Sequence, residues 1–162
     1  MPPVALNNPN ISFFDIYGNG LPDILQTSEN GYSFWENLGE GKLNMRCLQQ
    51  IMPAGVVLSN PNVMIGDMGG DGLADLIVEA PNMSGFYEAT ADGKWKPFKR
   101  FNSIPNFHLS DPNVRLVDLT GDGLSDVLMT QDNYFIWFRC LGEEGYGEPE
   151  YHIVSSRCIQ IQ

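Results

Sequence analysis

The sequence predicts an all-β protein made of three tandem four-stranded blades of about 51 residues each, part of a β-propeller. Three observations support this prediction. An Asn-Pro-Asn or Asp-Pro-Asn tripeptide begins at residues 8, 60 and 111. An acidic, glycine-containing nonapeptide begins at residues 15, 67 and 118, so two motifs keep register over a long spacing. Seventeen glycines and eleven prolines indicate many turns between short strands.

Each unit is predicted to contain the same elements in the same order. A short strand, such as residues 114–117, follows the tripeptide and leads into the acidic loop. A second apolar strand leaves the loop, a turn follows, and an aromatic strand such as residues 32–35 comes next. A glycine-rich turn then leads to a weaker fourth segment. Four short strands separated by turns are the content of one propeller blade.

The repeat predicts the domain boundaries. Blades are placed at residues 8–59, 60–110 and 111–162, and residues 1–7 are predicted to be the closing strand of a preceding blade because they resemble residues 52–59. Propellers close with about 4–8 blades, so three blades leave open edges. A homodimer with six blades is one solution, but the N-terminal strand and a partner's C-terminal strand would then compete for one slot. The favoured interpretation is a fragment of a longer chain.

The acidic loop has the residue types of a calcium site. Asp stands at position 1, Asp or Asn at position 5, Asp at position 9, and glycine at positions 4 and 6. Calcium prefers oxygen ligands from carboxylates and backbone carbonyls, and glycine permits the turns that let them converge. The predicted ligands are Asp118, Thr120, Asp122, Leu124 and Asp126 in the third loop, Asp67, Asp71, Leu73 and Asp75 in the second, and Asp15, Asn19, Leu21 and Asp23 in the first.

Position 3 ranks the loops. It is occupied by Tyr17, Gly69 and Thr120, and only the threonine has a short side chain with an oxygen. The third loop therefore ranks first and the second next, with water replacing the missing ligand. The first loop ranks last because Asn19 also replaces an aspartate. The alternative is that the aspartates accept hydrogen bonds from the loop's own amides, as in an Asx-type turn without metal. Bound calcium would have a structural role.

Composition excludes several classes of partner. The net charge is −11, from 20 acidic and 9 basic residues, and eight of the acidic residues lie in the three loops. Without a basic surface, the chain is a poor candidate for binding nucleic acid. No apolar run is long enough for a membrane span. The N-terminus lacks the basic and apolar regions of a signal peptide. The three cysteines show no CxxC spacing and are predicted to be reduced thiols.

The sequence gives little support for an enzyme. It contains no GxSxG, P-loop or GxGxxG motif outside the acidic loops, and an active site is normally made once rather than in three equivalent places. Recurring aromatic residues are expected to pack between sheets. Trp95 and Tyr146 lie in glycine-rich turns instead, so they are expected to be exposed rings that could stack on a sugar.

The loop pattern D-x-x-G-D-G-x-x-D inside β repeats resembles the FG-GAP/VCBS repeats of integrin-α-type propellers. Residues 83–87, 95–101 and 107–126 more closely resemble the propeller region of insecticidal toxin-complex B subunits and related virulence-plasmid toxins. That resemblance implies a secreted, non-catalytic scaffold or interaction module that docks within a shell around a toxic payload. Its partner would be another protein or the remainder of a larger propeller. A carbohydrate-binding propeller, a lectin or adhesin that binds a glycan, is the alternative.

Overall fold

The computed structural model describes residues 5, 7–48, 55–80, 83–103 and 106–153. In this part of the chain the fold is all-β, with one short 3-10 turn at Gly142–Glu144. The strands are β1 (Ile11–Phe14), β2 (Asp23–Ser28), β3 (Gly31–Asn37), β4 (Leu43–Leu48), β5 (Val63–Gly66), β6 (Asp75–Ala80), β7 (Met83–Tyr87), β8 (Lys99–Arg100), β9 (Val114–Val117), β10 (Asp126–Thr130), β11 (Tyr134–Cys140) and β12 (Tyr146–Ile153). None of the described residues forms a helix long and apolar enough to cross a membrane.

The strands form three four-stranded antiparallel sheets, which confirms the predicted three four-stranded units. Each sheet is a meander in which neighbouring strands are consecutive in sequence, in the orders β1-β2-β3-β4, β5-β6-β7-β8 and β9-β10-β11-β12. The pairing register also repeats, because the cross-strand rows occupy equivalent sequence positions in each unit. These rows are Phe13–Ile24–Trp35, Ile65–Leu76–Tyr87 and Leu116–Val127–Phe138. The predicted closing strand at residues 1–7 lies largely outside the described residues.

The middle sheet is buried on both faces. Successive residues of β6 point to opposite faces, and Asp75, Leu76, Ile77 and Val78 are all buried. Leu76 and Val78 join a core cluster with residues of the first sheet, such as Leu25 and Phe34. Ile77 joins a second cluster with residues of the third sheet. The three sheets therefore stack face to face, with one apolar core at each of the two boundaries.

The boundary between the second and third sheets also contains backbone contacts. The Asp67 N–H donates to the Ser125 hydroxyl at 2.9 Å, and the Ser125 N–H donates to the Asp67 carbonyl at 2.7 Å. A Cβ built on Gly66 would lie 2.8 Å from the Ser125 Oγ, so the close approach of these two segments requires glycine. Farther along, the Ser103 N–H donates to the Glu144 carbonyl at 3.0 Å. These contacts fix the relative position of the two sheets.

The fourth strands of the second and third sheets differ most from the sequence prediction. In the second sheet it is only Lys99–Arg100, and a Cβ built on Gly85 in β7 would lie 2.0 Å from the Lys99 carbonyl oxygen. In the third unit the predicted placement of Tyr146 in a glycine-rich turn is wrong. The turn is formed earlier, by Gly142–Glu144, and Tyr146 already begins β12.

Candidate functional site

Each acidic loop connects the first and second strands of its sheet. Glycines at positions 4 and 6 of the loop have positive φ, as shown by Gly121 (76°) and Gly123 (89°) in the third loop. This conformation is strained for residues with a side chain, which explains the repeated glycines. The loops of the second and third sheets touch, because Leu124 approaches the position that a side chain on Gly70 would occupy.

The aspartate at position 1 accepts hydrogen bonds from the amides of its own loop. Asp118 accepts from the Gly121 N–H at 2.7 Å and from the Gly123 N–H at 3.0 Å. Asp67 accepts the equivalent bonds from the Gly70 and Gly72 amides, whereas Asp15 accepts from the Asn19 and Gly20 amides. The Gly123 amide is the main cause that lowers the pKa of Asp118 below its ordinary value. This carboxylate therefore organises the loop in its charged form.

The residue at position 5 makes an Asx-type turn. Asp122 accepts a hydrogen bond from the Leu124 N–H at 3.1 Å, and Asp71 accepts one from the Leu73 N–H at 2.9 Å. Asn19 does the same for Leu21 at 2.8 Å, so the amide oxygen of asparagine replaces the carboxylate without loss of this bond. The Leu124 amide lowers the pKa of Asp122.

The aspartate at position 9 is fully buried in all three sheets. Each accepts one hydrogen bond from the amide at loop position 2 and one from an amide at the end of the third strand or, for Asp75, just beyond that end. The pairs of donors are Ile16 and Asn37 for Asp23, Met68 and Ala89 for Asp75, and Leu119 and Cys140 for Asp126. Burial raises the pKa of Asp75 to about 6 and also raises that of Asp23. We call this arrangement the aspartate latch, because it ties each loop to the third strand of its sheet.

The hydrogen bonds of the loop carboxylates bear on how the loops could hold a calcium ion. The position-9 carboxylates point into the sheets, and the carboxylates at positions 1 and 5 already accept amide hydrogen bonds. Among the described residues, no group of three or more His, Cys, Asp or Glu side chains is arranged to hold a metal ion. In this conformation the loops make the contacts of the alternative, an Asx-type turn. Calcium binding stays a prediction for solution measurement.

Arg139 contributes a charge that the sequence analysis missed. Its guanidinium lies 3.1 Å from a carboxylate oxygen of Asp122 in the third loop. The equivalent positions in the other sheets are Glu36 and Glu88, so the third loop alone has this basic neighbour. Each of these residues lies 13 positions after the first residue of its sheet's second strand. Aligning the three repeats therefore shows a change from a negative to a positive side chain at this position in the third unit. The loop ranked first for calcium is the loop that already has a cation beside it.

The expectation that Trp95 and Tyr146 are exposed is wrong. Trp95 is 6% exposed and lies 5.8 Å from the ring of Tyr32 in the first sheet. Tyr146 is 1% exposed and lies 5.3 Å from the ring of Phe107. Both rings fill the cores between neighbouring sheets, a position that their glycine-rich sequence context does not reveal. Neither ring offers a free face for a sugar.

A pair of exposed tyrosines was not singled out from the sequence. Tyr134 is 38% exposed and Tyr151 is 65% exposed, and their ring centroids are 6.2 Å apart. They lie on the neighbouring strands β11 and β12 at the outer edge of the third sheet. Side-chain exposure there depends on the two-residue period of β12, which a short sequence containing Gly147 and Pro149 shows poorly.

No family model and no curated protein matches the sequence. Solved structures do match the fold. A Tc holotoxin pore of Photorhabdus luminescens aligns over 90% of this chain with a TM-score of 0.68 and 23% identity. The TcdB2-TccC3 structure without its hypervariable C-terminal region aligns over 85% with a TM-score of 0.59 and 17% identity. An Agrocybe aegerita lectin that recognises non-reducing terminal N-acetylglucosamine aligns over 89% with a TM-score of 0.62 and 19% identity.

The coverage of these structures limits what they establish. The present chain spans 7% of the holotoxin chain, 8% of the TcdB2-TccC3 chain and 38% of the lectin chain. At identities under 25% the likeness shows a shared fold. The predicted relation to toxin-complex structures is therefore confirmed at the level of fold, whereas the identification of FG-GAP/VCBS repeats stays a prediction.

Proposed function

We propose that the chain is part of a β-propeller that serves as a non-catalytic scaffold for protein contacts in a secreted toxin-delivery or surface protein. The stacking of three equivalent meanders supports this proposal, because propeller blades pack in this way around an axis. The fold likeness to two toxin-complex structures, each much longer than this chain, also supports it.

The aspartate latch is the observation that carries the proposal. Pairs of loop aspartates resemble the two catalytic carboxylates that glycoside hydrolases use as acid and base. Here Asp75 and its two equivalents are fully buried and hold backbone amides. The repeated acidic residues therefore have a role in building each sheet, which is what a scaffold requires.

The scaffold proposal predicts binding to a protein. The chain should be immobilised and tested by biolayer interferometry against the other toxin-complex components of its source organism, and the same preparation should be applied to a glycan array. Saturable binding to a protein component without a glycan signal is the expected result. Binding to glycans alone would contradict the proposal.

A carbohydrate-binding propeller is the second candidate, favoured by the fold likeness to the Agrocybe aegerita lectin. The proposed stacking surface is the exposed pair Tyr134 and Tyr151, since Trp95 and Tyr146 are buried. This candidate predicts binding to glycans that end in N-acetylglucosamine, and loss of that binding in Tyr151→Ala. Leu38→Ala is the matched control, since Leu38 is similarly exposed at 55% but lies in the first sheet unit.

A further inference from the structure

The first acidic loop contains an Asn-Gly dipeptide where the other two loops contain Asp-Gly. Asn19 and Gly20 stand at loop positions 5 and 6, and the equivalent pairs begin at Asp71 and Asp122. In an Asn-Gly dipeptide the glycine nitrogen can attack the asparagine side-chain amide, because glycine has no Cβ to obstruct the approach. The products are a cyclic imide and ammonia, and water then opens the imide to aspartate or isoaspartate. Among the three loops, the first alone can lose ammonia by this route.

An exposed turn holds the nucleophilic nitrogen and the side chain that it would attack. Asn19 and Gly20 are both exposed, so water can reach them. The Asn19 Oδ1 accepts a hydrogen bond from the Leu21 N–H at 2.8 Å, and the ring that this bond closes contains both the Asn19 Cγ and the Gly20 nitrogen. The turn therefore restricts the motion of the two reacting atoms before the reaction begins, which lowers the entropic cost of cyclisation.

A carboxylate accepts the proton that the attacking nitrogen must lose. The Gly20 N–H donates to the Asp15 Oδ2 at 2.5 Å. The other oxygen of this carboxylate accepts a hydrogen bond from the Asn19 N–H at 3.0 Å, which fixes the orientation of the group. A side chain in this position has the geometry of a general base, because the proton can pass to Oδ2 as the nitrogen attacks.

The Leu21 amide lies where negative charge would develop. Attack on the Asn19 Cγ moves charge to Oδ1, and the Leu21 N–H already donates to this atom. A backbone N–H that is in place before the reaction stabilises such an oxyanion. In the imide the same donor would polarise the Cγ carbonyl, so that water attacks Cγ rather than the main-chain carbonyl. Opening at Cγ gives aspartate, whereas opening at the main-chain carbonyl gives isoaspartate.

We propose that Asn19 is a site of self-catalysed deamidation, in which Asp15 is the base and the Leu21 amide stabilises the oxyanion. The Gly20 proton passes to Asp15, the bond between the Gly20 nitrogen and Cγ forms, and Asp15 returns the proton to the side-chain nitrogen, which leaves as ammonia. Water then adds to Cγ, the bond from Cγ to the Gly20 nitrogen breaks, and this nitrogen regains a proton. Ammonia takes the proton of the new carboxyl group, so each water consumed yields one carboxylate and one ammonium ion.

The other two loops show that the product fits the fold. Asp71 and Asp122 occupy position 5 there, and they accept hydrogen bonds from the Leu73 and Leu124 amides at 2.9 and 3.1 Å. These are the bonds that Asn19 makes in its own loop, so an aspartate at this position keeps the turn. After the reaction the first loop has the acidic pattern of the other two and one further negative charge.

The chain contains a second Asn-Gly dipeptide, Asn30-Gly31, which serves as an internal reference. It lies in the turn between β2 and β3, where Gly31 is buried and pairs with Ser28 in the ladder. A nitrogen held in the ladder is poorly placed for attack on the preceding side chain. Asn30 should therefore keep its amide much longer than Asn19 in the folded protein, and the two rates should converge when the chain is unfolded.

The test is incubation of the purified protein at physiological pH and temperature, folded or unfolded in guanidinium chloride. Peptide mapping with electron-transfer dissociation then locates asparagine, aspartate and isoaspartate at each position. Asn19 should lose its amide faster in the folded protein than in the unfolded chain, and the folded protein should yield mainly aspartate. Slower loss in the folded protein, isoaspartate as its main product, or loss at Asn30 as fast as at Asn19 would each overturn the inference.

Asp15→Asn distinguishes a base from a group that only holds the loop. The variant keeps a side-chain oxygen but removes the base, so deamidation at Asn19 should slow by about 100-fold, the lower end of what a positioned base contributes. If Asp15 only restrained the loop, the variant would react as fast as the wild type or faster, which would contradict its role as base. Asp111→Asn makes the same change in a turn of the third unit and should leave the rate at Asn19 unchanged. The comparison of folded and unfolded wild type decides the inference even if Asp15→Asn does not fold.

Discussion

Replacing the latch aspartate of the middle sheet should destabilise the protein in a graded way. In Asp75→Ala, the buried amides of Met68 and Ala89 lose their acceptors at 2.9 and 2.7 Å. Each unsatisfied buried amide costs about 1–3 kcal/mol, so the expected loss is about 2–6 kcal/mol. In Asp75→Asn one oxygen acceptor remains, while the new NH2 group faces an amide N–H, and the loss should be about 1–3 kcal/mol.

The control for this series is Asp111→Asn. Asp111 accepts a hydrogen bond from the Asn113 N–H at 2.8 Å, and its repeat equivalents Asn8 and Asn60 accept the same bond through an amide oxygen. This substitution should therefore change stability by less than about 0.5 kcal/mol. Asp75→Asn and Asp111→Asn make the same chemical change, so the difference between their losses of stability measures the effect of the buried Asp75 acceptors.

Differential scanning calorimetry and urea unfolding measure the effect. For a chain of this size, a loss of 1 kcal/mol lowers Tm by about 2–4 °C. The order of Tm should be wild type, Asp111→Asn, Asp75→Asn and then Asp75→Ala, with the first two nearly equal. If Asp75→Asn were as stable as Asp111→Asn, the aspartate latch would not be a source of stability and the reasoning would fail.

Three further predictions concern pH, calcium and close packing. Burial raises the pKa of Asp75 to about 6, so the stability that this group contributes is fully present below its ordinary pKa of 3.8 and is lost as pH rises through 6. In urea titrations, Asp75→Asn should therefore lower the free energy of unfolding more near pH 4 than at pH 7. Calcium, compared with chelator, should raise the melting temperature of Arg139→Gln more than that of the wild type, because the substitution removes the cation beside Asp122 in the third loop; equal shifts in the two proteins would contradict this expectation. Gly85→Ala should destabilise the protein by about 1–3 kcal/mol, because the new Cβ would clash with the Lys99 carbonyl oxygen. The control Gly69→Ala should be neutral, because its Cβ would meet other atoms only at 3.7 Å or more. Equal melting temperatures for the two variants would refute this packing argument.

The repeat made the sheets predictable. The strand at Val114–Val117 has the bounds expected from the sequence, and the apolar strand after each loop begins at the position-9 aspartate in all three sheets. The signal is strong there because apolar runs, turn residues and the spacing of the repeat agree. The fourth strands were less predictable, since β8 contains only two residues and its pairing depends on the close approach at Gly85.

The role of the loop aspartates was predictable only in part. Sequence spacing grouped Asp118, Asp122 and Asp126 as one set of ligands. The structure separates them, because a carboxylate at the first residue of a strand points into the sheet while the other two remain in the loop. The exposure of Trp95 and Tyr146 was mispredicted for a related reason. A ring in a turn is exposed or buried according to the neighbouring sheet, which lies far away in sequence.

The contact between Asp67 and Ser125 has a consequence for how the chain opens. It joins the second and third sheets near the loops by one backbone–backbone hydrogen bond and one bond from a backbone amide to the Ser125 hydroxyl, and the bond from the Ser103 N–H to the Glu144 carbonyl joins the same two sheets at a second place. Native-state hydrogen exchange measures such contacts, because an amide that is hydrogen-bonded between two sheets exchanges only when the two sheets separate. The amides of Ser125 and Ser103 should therefore exchange together, with the second and third sheets behaving as one cooperative unit.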